Sequence, residues 1–124
     1  MRQTLVAAEV YDRLQRAMAS DPEGFCDLYR DYLSDARLTL SQLYLACHGR
    51  NSDELRAKAH YLKSSSLVLG VSAIADLCAD IEDCSAEIEF AAVSKKLGKL
   101  TQLLNRVQSE LEQKLGPRVV PAAA

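Results

Sequence analysis

Group transfer near neutral pH is a task for histidine, because a neutral imidazole has one nitrogen free to attack while the other carries a proton. The sequence has two, His48 and His60. His60 has the richer setting. Arg56 at i−4 and Lys63 at i+3 lie within reach of the space beside its ring on a helix, so a nucleophile would be flanked by cations. Tyr61, Leu67 and Val68 surround the small Ser64 on the same side, an apolar rim suited to docking a partner. His48, next to Gly49 near a helix end, reads as structural: a positive side chain there interacts with free carbonyls.

The helix that must carry His60 begins after Asn51, which with Glu54 forms an N-x-x-E capping box, and stops at Gly70. At 100 degrees per residue Leu55, Ala59, Leu62, Ser66 and Leu69 lie within about 40 degrees of one line, which is the core face. His60 then points about 140 degrees away from the core and Ser64 about 180 degrees. Around this helix the breakers and apolar spacing predict four others. A first helix spans residues 3 to 19, and a long second one runs from 22 to 48 after the Ser20-Asp21-Pro22-Glu23 start signal. A fourth is capped by Ser72 and carries Ile74, Leu77, Cys78 and Ile81. A fifth runs from 86 to 115 with a stripe of Leu97, Leu100, Leu104, Val107, Leu111 and Leu115. Gly49, Gly70 and Gly116 are expected as left-handed stops. No segment alternates as a strand does. The expectation is one all-α domain over residues 1–116, followed by a flexible tail, 117–124.

The run AHYLKSSSLVLG, Ala59 to Gly70, resembles the histidine-containing phosphotransfer (HPt) family, whose motif is approximately H-x-L-K-G followed by small residues and a glycine. LCADIE, ending at Glu82, is similar to the family's next helix. The resemblance implies an antiparallel four-helix bundle with an additional N-terminal helix. It implies that His60 accepts a phosphoryl group from a receiver-domain aspartate and returns it to another. It further implies that Lys63 is the neighbouring cation, that Gly70 ends the active helix and that Glu82 orients the imidazole. With Glu82 accepting the Nδ1 proton, Nε2 would attack in line. Partners would be receiver domains of a hybrid sensor kinase or a response regulator, docking around Arg56, Tyr61, Ser64, Leu67 and Val68. The chain would need no cofactor, the divalent metal belonging to the receiver. Serine at 64 replaces the family's glycine, which bears on how closely a receiver approaches.

Composition narrows the alternatives. A net charge of −2 provides no basic field for nucleic acid, and no apolar run is long enough to span a membrane. Cys26, Cys47, Cys78 and Cys84 never form C-x-x-C and lack the close spacing of zinc ligands, so they read as reduced thiols in a cytoplasmic protein without a metal. The scattered glycines offer no phosphate-binding loop, which argues against autophosphorylation. A bundle that closes its own core is expected to be a monomer. The competing reading is a helical adaptor that binds a receiver or kinase without carrying phosphate.

Overall fold

The computed structural model describes residues 4–86 and 89–122. Its helices are α1 (Ala8–Ala17), α2 (Pro22–His48), α3 (Ser52–Val68), α4 (Ser72–Ala86) and α5 (Phe90–Leu115), followed by a 3-10 turn at Pro117–Val119. α2 packs against α3 and α5, and α4 packs against the same two, so α2 to α5 close a four-helix ring; α1 lies on α2. The helices alternate in direction. Tyr29 and Tyr32 of α2 bond Leu69 and Ser66 in turn, and Asp35 bonds Tyr61, so numbering falls along α3 as it rises along α2.

Each helix buries one stripe. In α5 it comprises Val93, Leu97, Leu100, Leu104, Val107 and Leu111, all inaccessible to solvent. In α3 it comprises Leu55, Ala59, Leu62 and Ser66, with Leu69 just beyond the helix, as the wheel requires. A fully buried leucine contributes about 1.5–3 kcal/mol, so such a stripe fixes each helix's rotation about its own axis. At the bundle's end Tyr11 and Tyr29 meet Phe25, both edge-on, with ring centroids 5.1 and 5.6 Å away.

Several boundaries differ from the sequence expectation, for identifiable reasons. α1 starts at Ala8 because the preceding N–H groups bond elsewhere: Leu5 and Val6 donate to the Glu110 carboxylate, and Ala7 donates to Gly70 O at 2.9 Å. Residue 3, the expected start, lies outside the described residues. Ser72 is itself the first residue of α4; the carbonyl one position earlier, at Val71, accepts the Ala75 N–H. α5 begins at Phe90, not 86, since Ala86 belongs to α4. Asn51 caps α3 by accepting the Glu54 N–H at 3.1 Å, but the Glu54 carboxylate turns to Lys58, so only half of the capping box forms.

The left-handed residue after α2 is Arg50 (φ 54°) and not Gly49, because the Asn51 N–H reaches back to Ala46 O and places the turn one residue later. The expected flexible tail is partly packed: Val119 is fully buried and Arg118 pairs with Glu23 at 3.6 Å. Residues 123 and 124 lie outside the described residues. No helix is long and apolar enough to cross a membrane among the described residues.

Gly70 closes α3 with φ +79°, and the Val71 N–H returns to Ser66 O at 2.8 Å. A Cβ at this position would lie 2.9 Å from Val10 Cβ. Gly70→Ala therefore combines left-handed strain with a clash against α1, and should lower unfolding free energy by about 1–3 kcal/mol in a urea titration. Ser66→Ala removes the 2.7 Å partner of the buried Tyr32 hydroxyl and should cost about 1–3 kcal/mol. The double change Ser66→Ala with Tyr32→Phe should regain part of that loss.

Candidate functional site

The α3–α4 pair is built by the three-residue link Leu69–Val71, which folds α4 back along α3. With its opposite face buried, α3 presents His60 to solvent, its side chain 64% exposed. On α4 the buried residues Ile74, Cys78 and Ile81 point to the core, and Glu82, next to Ile81, falls at the seam with α3. Its carboxylate is mostly covered. Oε2 lies 3.5 Å from His60 Nδ1, and Oε1 lies 2.9 Å from Lys63 Nζ.

These distances rank the two contacts. The Lys63–Glu82 pair is a close ion pair, whereas 3.5 Å is longer than a formed hydrogen bond to the imidazole. Glu82 Oε1 is buried, and the Lys63 ammonium serves it as a charge partner without the alignment of a hydrogen-bond donor. In this state Glu82 is held chiefly by Lys63, with the Nδ1 side of His60 next to it. Nδ1 faces the carboxylate and the exposed ring edge faces solvent, which suits a nucleophile whose tautomer is set by a neighbouring carboxylate.

The other sequence candidates divide. Arg56 bonds Asp53 on its own helix, so the second cation beside His60 is turned to a local partner. Ser64 donates its hydroxyl to His60 O at 3.1 Å, which draws the polar atom back onto the helix and leaves little more than Cβ facing outward. Tyr61 is half exposed, while Leu67 and Val68 are 56% and 68% exposed, forming an apolar rim along α3. Gly70 ends the helix, and its carbonyl holds α1 through Ala7.

One contributor was not legible in the sequence. Asp35 on α2 accepts the Tyr61 hydroxyl hydrogen bond, fixing that ring across the α2–α3 seam and raising the phenol's pKa through the bond and the negative charge. Nothing local in the sequence connects residues 26 apart. Cys78 lies beneath the site; burial pushes its thiol up to about 12, the Glu82 charge adds to this, and Lys63 partly offsets it. It is a neutral core thiol, unsuited to nucleophilic chemistry. The four cysteines are free, and among the described residues no three His, Cys, Asp or Glu side chains cluster as a metal site.

A search of curated proteins found no match. Among solved structures, the crystal structure of histidine-containing phosphotransfer protein B from Pseudomonas aeruginosa PAO1 superimposes with a TM-score of 0.84. The match covers 92% of this chain and 96% of that one at 19% identity, a likeness of fold. The family model for the Hpt domain matches residues 27–113, from within α2 almost to the end of α5 and including every residue of the His60 site. The chain belongs to the Hpt domain family.

Proposed function

We propose that His60 is the phosphoryl-carrying residue of this phosphotransfer protein and that it exchanges the group with receiver-domain aspartates in the cytoplasm. The supporting observation is the exposed imidazole with Glu82 beside Nδ1 and Lys63 beside Glu82. Nε2 attacks the phosphorus of an aspartyl phosphate in line; the N–P bond forms as the P–O bond to the aspartate breaks, and the carboxylate leaves. As positive charge grows on the ring, Glu82 stabilises the Nδ1 proton, the short movement from 3.5 Å to hydrogen-bond distance accompanying transfer. Lys63, already within the site, can turn from Glu82 toward the phosphoryl oxygens. Positioning and charge stabilisation are what phosphoryl transfer asks of a protein; the receiver supplies the aspartate and its divalent cation.

The docking surface in this reading is the α3 face of Tyr61, Ser64, Leu67 and Val68, apolar and adjacent to His60. Because Ser64 turns its hydroxyl inward, it presents a surface little larger than alanine, and a receiver can approach closely. The partners are receivers of a hybrid sensor kinase or a response regulator. Reduced thiols, two of them buried, suit the cytoplasm.

Incubation with a phosphorylated receiver should place one acid-labile phosphoryl group on the wild type and none on His60→Gln. Equal labelling of both excludes His60, and intact pathway output from His60→Gln would favour an adaptor that carries no phosphate. In single-turnover transfer, Glu82→Ala and Lys63→Ala should each slow the reaction by about tenfold to a hundredfold, as expected for groups that orient a reacting residue. Arg56→Ala, which frees only Asp53, should stay within about twofold.

A further inference from the structure

The two flanks of His60 are held by different contacts. Around the axis of α3, Lys63 lies about 60 degrees from His60 toward α4, where it meets Glu82; Tyr61 lies about 100 degrees away toward α2, with Val68 at about 80 and Ser64 at about 40. Tyr61 is thus the large side chain next to the imidazole on the α2 flank, and it is 50% exposed. Its hydroxyl donates to the Asp35 carboxylate. Among the described residues no Lys, Arg or His lies within ion-pair distance of that carboxylate. Arg30 turns to Asp27, Arg37 turns to Gln108, and the Thr39 hydroxyl goes to the Asp35 main-chain oxygen, so the phenol is the carboxylate's sole side-chain partner there.

A bond at this exposure does little for the fold, since both groups regain water when it opens. What it fixes is a direction. An exposed tyrosine turns among staggered settings about χ1, and only those that lean toward α2 let the hydroxyl reach Asp35. With so few side-chain torsions, one hydrogen bond at the far end of the ring is enough to order it.

We propose that Asp35 is a positioning residue for receiver docking: by accepting the Tyr61 hydroxyl it fixes that ring beside His60 before a receiver arrives. The inference rests on the reading of His60 as the residue that exchanges phosphoryl groups with receivers, and adds to it a residue of another helix, 26 positions from Tyr61. A ring left free has to be immobilised at each encounter, which lowers affinity by about threefold to tenfold. Asp35 stands on the flank opposite Glu82 and Lys63, so its effect falls on affinity and not on the transfer step.

The probe is the receiver domain of the same organism that binds the wild-type chain most tightly, titrated first without phosphate and then, phosphorylated, in single-turnover transfer. Asp35→Ala and Tyr61→Phe should each raise the receiver Kd by about threefold to tenfold. The double variant should be no weaker than either single one, because both changes remove the same bond. Asp35→Asn keeps an acceptor oxygen and should stay within about twofold of the wild type. For Asp35→Ala the half-saturating receiver concentration should rise with the Kd while the maximal rate moves by less than about twofold. Neither change opens the core, so helicity should match the wild type. Single effects that add in the double variant overturn the inference, as does an Asp35→Ala affinity equal to that of the wild type. So does Asp35→Asn as weak as Asp35→Ala, which would make the acid an ion-pair partner of the receiver. A wild type that binds the receiver with this pattern of variants but takes no phosphoryl group refutes the reading of His60 and leaves the docking role standing. A labelled wild type with unchanged Asp35→Ala affinity does the reverse, and absence of binding by every receiver overturns both.

Discussion

The rotational setting of α3 decides which of its residues meet solvent, His60 among them. Leu55, Ala59 and Leu62 are excluded from solvent, and rotating the helix to hide His60 would bring that face to water at a cost of several kcal/mol, at about 1.5–3 kcal/mol per leucine. Ser66 adds direction to this apolar constraint, since its hydroxyl must meet Tyr32 on α2. The core thus orients His60 toward solvent without touching it. The same setting aligns Lys63 with the α4 seam and Tyr61 with the α2 seam, so the two flanks of His60 differ: a cation and a carboxylate on one side, an aromatic ring tied to Asp35 on the other.

Electrostatics at the site is economical. One carboxylate, Glu82, faces both Lys63 and the imidazole, and its covered position keeps that interaction less screened by salt than an exposed pair. Arg56–Asp53 and Arg30–Asp27 lie within their own helices and are largely exposed, the kind of pair that contributes little. In the proposed reading, a carboxylate held by a lysine at rest and available to the imidazole during transfer needs only small side-chain motions, which suits a carrier that must both accept and release its group.

Gly70 connects the site to the rest of the fold. Its left-handed turn ends α3, starts the link to α4 and accepts the Ala7 N–H, while the same N-terminal segment gives two more N–H groups to Glu110 on α5. α1 is therefore tied at its start to both sides of the bundle. The Tyr11–Phe25–Tyr29 cluster then seats it on α2, and the Tyr29 hydroxyl returns to Leu69 O at the end of α3.

Local pattern determined a great deal here. The apolar stripes of α3 and α5, the start signal of α2, the cap at Asn51, the stop at Gly70 and the outward direction of His60 all follow from period and steric rules that act within a few residues, and the H-x-L-K run with its trailing small residues carried the family. Tertiary structure decided what depends on atoms distant in sequence. Spacing put both Arg56 and Lys63 within reach of His60 and the resemblance singled out Lys63; the carboxylate that Lys63 meets across the helix seam, Glu82, and the bond of Arg56 to Asp53 came from the packed helices. The start of α1 moved because Glu110 and Gly70 took its first N–H groups, and Val119 was buried because α2 and α5 leave a place for it. Periodicity tells a side chain which way to face; its partner is settled only when the helices have packed.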